Sequence, residues 1–106
     1  MENRAGVPIV VATGRVSYAS AAALVSALEK AMSLAPGTRG LVLDMTRTDY
    51  ISSEGLHAIE SAATRLPRVI LVAPSEPVRI AFDLAGLLSR VTIEGTLEAA
   101  VQALSG

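Results

Sequence analysis

The chain has 106 residues, 51% of them hydrophobic, which is long enough and apolar enough for one domain with a packed core and excludes disorder. Its formal net charge is −1, from nine Lys and Arg against ten Asp and Glu, and the scattered basic residues predict no nucleic-acid partner. With no cysteine and one histidine, the chain cannot form disulfides, thiolate or multi-histidine metal sites or a cysteine nucleophile, and we expect no cofactor.

The first half of the chain alternates apolar runs with helical spacing. Residues 7–13 are rich in β-branched side chains and predict a strand that ends at Gly14. Residues 20–33 repeat large apolar side chains every four positions and predict a helix, in which three successive alanines indicate close packing on a sheet. Residues 40–44 predict a buried strand that stops at Asp44. Residues 45–51 are mostly polar and predict a loop, after which apolar spacing from Leu56 predicts a second helix.

The second half continues the alternation. Residues 69–73 predict the clearest strand, and Pro77 is placed to open a helix whose inner face is expected at Ile80, Leu84 and Leu87. Residues 91–93 predict a short edge strand, and Thr96 is placed to cap a final helix. This order predicts an α/β fold with a mostly parallel sheet, in which the first strand is free to pair antiparallel at one edge.

Functional groups in an open α/β sheet gather where strands end and helices begin. Here that place is the segment after Leu43, with Asp44 at the expected strand end and Ser52 and Ser53 at the mouth of a helix. The unpaired N–H groups and positive dipole end of a helix would stabilise a phosphate added to a serine. The ordinary alternative is that one serine simply caps the helix.

The segment Asp44-Met45-Thr46, three residues, then Tyr50-Ile51-Ser52-Ser53-Glu54-Gly55-Leu56 resembles the signature of STAS domains, the anti-sigma factor antagonist family. Similar segments lie at residues 10–17, 73–79, 84–87 and 96–100, so the resemblance covers residues 7–104. It implies a single STAS-like domain with a mixed, mostly parallel sheet of four to five strands and about four helices.

The resemblance also implies a partner switch. The serine two positions before the glycine, Ser53, would be phosphorylated by a cognate anti-sigma factor that is a serine kinase, and a serine phosphatase would reverse the modification. The unphosphorylated form would bind the anti-sigma factor, and the phosphorylated form would release it. The implied phosphosite loop is Asp44, Ser52, Glu54 and Gly55; the implied partner contacts are Ser52, Ser53, Glu54, Gly55 and His57, with Gly55 giving the partner room.

Three alternatives stay open on the sequence. Glu54 is either a favourable first-turn carboxylate or a charge that opposes or imitates phosphorylation of Ser53. His57 is solvated, contacts a partner, or acts as the base of a hydrolase with Ser53 and Asp44; we expect no enzyme. STAS domains also serve lipid-trafficking ABC transporters, docking on the ATPase without a phosphorylation switch.

The longest uncharged stretch, residues 16–28, has 13 residues, fewer than the ~20 needed to span a membrane. We therefore expect no direct membrane insertion and a cytoplasmic protein. The family resemblance implies a monomer when free.

Overall fold

Five strands form one sheet in the computed structural model, which describes residues 2–105. The strands are β1 Glu2–Arg4, β2 Val7–Val16, β3 Leu41–Ile51, β4 Val69–Val72 and β5 Thr92–Glu94. The helices are α1 Tyr18–Leu34, α2 Ser53–Arg65, α3 Glu76–Leu84 and α4 Leu97–Ser105, with a 3-10 turn at Leu88–Arg90. The predicted α/β class, with a mixed sheet and four helices, is confirmed.

The strands lie in sequence order, and β2 to β5 pair in parallel. β2, the first strand predicted from the sequence, also pairs antiparallel with β1. The sequence did not indicate that β1 exists. β1 is three exposed polar residues, so it lacks an apolar pattern. It forms because Ala5 and Gly6 both adopt positive φ, at 54° and 80°, the backbone of a tight hairpin turn.

Side chains alternate across the sheet and fill a core on each face. Leu43 and Leu71 point into the core beneath α1, α2 and α3, whereas Val42 and Ile70 point into the core beneath α4. Because both faces are covered, the central strands read as continuous apolar runs. Each fully buried aliphatic side chain of this kind contributes about 1.5–3 kcal/mol to stability.

The predicted loop at residues 45–51 is wrong, since β3 continues without a break to Ile51. Met45, Thr48 and Ile51 are buried while the residues between them are exposed, a spacing that lacks the two-residue period of a regular strand. The cause is two register shifts against β2, each with an extra residue on β3. Thr48 Oγ1 donates to the Ala12 carbonyl at 2.8 Å and so satisfies its buried hydroxyl.

The inner face predicted for α3 is also wrong in part. Leu87, just after the helix, is buried as expected, but Ile80 is 49% exposed and Leu84 is 84% exposed. Val78 and Phe82, spaced by the same helical turn, face the sheet instead. Ile80 with Leu84 and Val78 with Phe82 both fit the helical period. The pair that packs against β3 is the one that contains the largest of these side chains, Phe82.

β2 runs past Gly14, where it was predicted to end, as far as Val16, whereas two other local signals hold. Thr96 Oγ1 accepts the Ala99 N–H at 3.1 Å, so it caps α4 as predicted, and β5 is a short strand at the sheet edge. α1 begins two residues before the predicted start because Ser17 and Ser20 form a reciprocal capping box. Over residues 2–105, no helix is long and apolar enough to cross a membrane.

Candidate functional site

Ser52 is the single residue between β3 and α2, and its N–H, carbonyl and hydroxyl oxygen each form a hydrogen bond. Its N–H donates to the Val16 carbonyl at 2.7 Å, and its carbonyl accepts the Leu56 N–H at 2.9 Å. Its Oγ accepts the Gly55 N–H at 3.3 Å. With 8% of its surface exposed, Ser52 is the buried N-cap of α2, and its expected contact with a partner stays a prediction.

Ser53 follows as the first residue of α2 and is exposed. Within the described part of the chain its hydroxyl has no hydrogen-bond partner. It stands at the positive end of the helix dipole, where a negative group is stabilised by roughly 0.3–1 kcal/mol at an exposed position. Of the two serines, Ser53 alone is exposed.

Gly55 is buried against the core and does not face solvent. A Cβ at this position would lie 2.8 Å from Val16 Cγ1 and 2.8 Å from Ile51 Cγ1, closer than van der Waals contact allows. The space that Gly55 leaves is thus filled by the chain's own core, and its expected contact with a partner stays a prediction. The absent side chain lets α2 approach the ends of β2 and β3.

Asp44 lies inside β3, not at its end, and pairs in register with Val11 and Val72. Its Oδ1 accepts the Thr46 N–H at 3.0 Å and also binds the Thr46 hydroxyl. Asp44 and Ile51 pair with Val11 and Val16, five residues apart on β2, so roughly 17 Å of strand separates Asp44 from the end of β3. The expected place of Asp44 in a loop beside Ser53 is wrong, because β3 has no loop there.

An open groove separates the first turns of α1 and α2. In-register pairing of Val16 with Ile51 sets the two strand-to-helix junctions side by side, so that α1 begins next to α2. The groove is lined on the α2 side by Ser53, Glu54 and His57, and on the α1 side by Tyr18, Ala19, Ala21, Ala22 and Val25. The site thus combines a free serine, one carboxylate, one imidazole and an apolar wall.

The α1 wall was not identified from the sequence as part of the site. Tyr18 lies just before the predicted helix and is 78% exposed. The three alanines at residues 21–23 were expected to pack on the sheet, yet only Ala21 is buried. Ala22 and Val25 face the groove instead. A helical projection that begins at Tyr18 would have placed them on one side.

His57 points into solvent, with its side chain 82% exposed. Its Nδ1 lies 3.8 Å from Glu60 Oε1, and Glu60 Oε2 lies 4.0 Å from Arg90 Nη1. Among residues 2–105, no hydrogen bond joins His57 to Ser53 or to Asp44. The nucleophile, base and carboxylate of a hydrolase triad are therefore not brought together.

One exposed ion pair joins α1 to α2 outside the groove. Arg65 near the end of α2 forms a bidentate ion pair with Glu29 of α1. The hydrogen bond from Arg65 lowers the pKa of the Glu29 carboxyl below its ordinary value. In the described part of the chain, no group of three or more His, Cys, Asp or Glu side chains could hold a metal ion.

Comparison with known proteins gives consistent matches. The STAS domain family profile matches residues 1–100. BtrV of Bordetella bronchiseptica, a candidate anti-sigma factor antagonist, is 35% identical over 107 residues that cover 97% of this chain and 90% of BtrV. The crystal structure of a candidate anti-sigma factor antagonist from Thermotoga maritima superposes with a TM-score of 0.85 at 19% identity, covering 99% of this chain and 92% of that chain. The anti-sigma factor antagonist SpoIIAA, in its unphosphorylated form, gives 0.69 at 16% identity, covering 92% and 88%.

Proposed function

The chain belongs to the STAS domain family, and we propose that it is an anti-sigma factor antagonist controlled by phosphorylation of Ser53. In the unphosphorylated form it binds an anti-sigma factor that is also a serine kinase. The phosphorylated form releases that partner, and a serine phosphatase restores the binding form. The likeness to BtrV, a candidate anti-sigma factor antagonist, and to the antagonist SpoIIAA supports the antagonist role. SpoIIAA has an unphosphorylated form, which supports a switch by phosphate.

The proposal rests on the different environments of the two adjacent serines. Ser52 is a buried cap whose hydroxyl is engaged, whereas Ser53 presents an unengaged hydroxyl at the same helix start. A kinase can reach Ser53 without unfolding α2. The phosphorylated protein therefore keeps its fold, and only its surface changes.

The groove explains how a phosphate would alter affinity. Tyr18 and Val25 form an exposed apolar wall opposite Ser53, and a partner that covers this wall must exclude water from the groove. A phosphate adds about −1.5 to −2 charges beside the carboxylate of Glu54. Burying that charge against an apolar wall without a cationic partner is costly, so the modified face is released.

The chain itself supplies a phosphoacceptor and no catalytic group. Phosphoryl transfer breaks the bond between the γ-phosphorus of ATP and its bridging oxygen, and forms a bond from that phosphorus to Ser53 Oγ. The hydroxyl proton must pass to a base, and in the described structure no carboxylate or imidazole hydrogen-bonds Ser53. We assign that base to the kinase, which makes this chain a substrate and binding module.

The test is affinity capture from the native cell with three baits. Wild type is compared with Ser53→Asp and with the control Ser89→Asp, which adds the same charge at an exposed serine outside the groove. We expect wild type and Ser89→Asp to retain an ATP-binding anti-sigma factor that Ser53→Asp loses. Equal recovery by all three baits would contradict the switch. Recovery of a transporter ATPase by all three would favour the ABC transporter role.

A further inference from the structure

α3 turns two large apolar side chains away from the sheet, outside the groove that the proposed switch uses. Ile80 and Leu84 are one helical turn apart and 49% and 84% exposed, so they form one ridge. Beside this ridge lies a shallow groove whose apolar lining is Pro74, Ile80 and Leu88. The ridge and the groove therefore lie next to each other on one face of the chain.

Two unpaired charges accompany the ridge. Arg79 and Asp83 line the same groove and are four residues apart on α3, a spacing at which opposite charges often pair. The two side chains form no ion pair with each other, and neither side chain has a hydrogen-bond or ion-pair partner among residues 2–105. Both charged groups are available to another molecule.

We propose that this face of α3 binds a second copy of the chain, with the two α3 helices antiparallel about a twofold axis. With that axis beside the middle of the helix, Arg79 of each copy faces Asp83 of the other. The same arrangement lays each Leu84 over the other copy's Ile80 and groove. A parallel arrangement would set Arg79 against Arg79, so the charges select the antiparallel one.

The geometry also sets the strength of the contact. α3 has nine residues, about 14 Å of helix, which places the contact among small, transient interfaces below about 1,200 Å². We therefore expect monomers in dilute solution and dimers near millimolar concentration. Ser53 lies on the α1 side of α2 and α3 does not line its groove, so both copies in the dimer keep an open phosphorylation site.

The experiment is analytical ultracentrifugation of the full chain from about 10 μM to about 1 mM, the range in which so small an interface dissociates. We expect the wild-type sedimentation coefficient to rise with concentration. Leu84→Lys should weaken dimerisation about tenfold or more, while the control Leu34→Lys, at an exposed leucine outside this face, should leave it unchanged. Circular dichroism checks that each variant is folded.

Charge reversal makes the test specific. Arg79→Asp and Asp83→Arg should each weaken dimerisation, because each sets like charges against one another across the axis. The double variant Arg79→Asp/Asp83→Arg exchanges the two charges and should restore the wild-type dimer. The proposal is overturned by a wild type that stays monomeric at 1 mM, by a dimer that survives Leu84→Lys, or by a double variant no better than the singles.

Discussion

Ser52 Oγ accepts the Gly55 N–H at 3.3 Å, and this contact fixes the start of α2 so that the next residue, Ser53, faces solvent. Both residues of the contact are buried. Gly55 is held beneath the helix start by Val16 and Ile51, and Ser52 is held by the Val16 carbonyl. Buried residues thus fix the position of the candidate phosphoacceptor, Ser53. Because Ser53 itself is exposed, its modification changes the surface without disturbing the fold.

The first prediction separates the two serines by stability. Ser52→Ala removes the cap of α2 and should lower the free energy of unfolding by about 1 kcal/mol, whereas Ser53→Ala should change it by less than about 0.5 kcal/mol. Urea denaturation of both variants and wild type gives the comparison. A loss for Ser53→Ala as large as that for Ser52→Ala would mean that Ser53 is structural.

The second prediction concerns the close approach at Gly55. Gly55→Ala forces a methyl group against Val16 and Ile51, an overpacking that costs about 1–3 kcal/mol and is offset by at most about 1 kcal/mol of helix propensity. A net loss of about 1–2 kcal/mol should appear in thermal unfolding. Gly95→Ala is the control, since a Cβ there meets nothing within 4 Å, and it should be nearly neutral. An equally neutral Gly55→Ala would refute the packing role.

The third prediction concerns Glu54, whose exposed carboxylate follows Ser53 directly. Because like charges repel, a phosphate on Ser53 should form more readily in Glu54→Gln, by about two- to fivefold in initial rate for an exposed pair. Phosphate incorporation by the cognate kinase, measured at low and high salt, gives the rates. The difference should shrink at high salt. A slower Glu54→Gln would show instead that the kinase recognises the carboxylate.

The fourth prediction follows from the ion pair between Glu29 and Arg65. Arg65 lowers the pKa of Glu29 in the folded state, so the pair stabilises the fold above the ordinary carboxyl pKa, and this contribution is lost as pH falls through the lowered value. Arg65→Met should therefore be less stable than wild type at neutral pH, with a gap that closes in acid. Unfolding curves across the acid range measure this gap.

The control for the ion pair is Arg68→Met, which removes an arginine bound to the Ala103 carbonyl instead of a carboxylate. Its difference from wild type should not close in the same acid window. A gap for Arg65→Met that is constant with pH would show that the loss comes from packing of the arginine stem and not from the charge on Glu29.

Much of the fold could be predicted because its signals are local. The apolar runs of β3 and β4, the helical spacing of α1 and the cap at Thr96 each act over a few residues. The second half of β3 could not be predicted, because its two register shifts disrupt the alternation that marks a strand. The inner face of α3 could not be predicted either, because two sets of residues satisfy its helical period.

The two serines of the candidate site could be predicted from the sequence, but the residues of α1 that lie next to them could not. Ser52 and Ser53 follow from their place between a strand and a helix, although which of them is the cap depends on where α2 begins. Tyr18 enters the site only because Val16 pairs with Ile51, a contact between distant parts of the chain. Asp44 was predicted at the end of a strand because the second half of β3, residues 45–51, was predicted as a loop.

Phosphosite mapping decides whether Ser53 receives the phosphate. Wild type, Ser52→Ala and Ser53→Ala are each incubated with ATP and the captured anti-sigma factor, then analysed by intact-mass and tandem mass spectrometry. We expect one phosphate on Ser53 in wild type and in Ser52→Ala, and none in Ser53→Ala. A phosphate that persists in Ser53→Ala, or wild type that stays unmodified, would contradict this expectation.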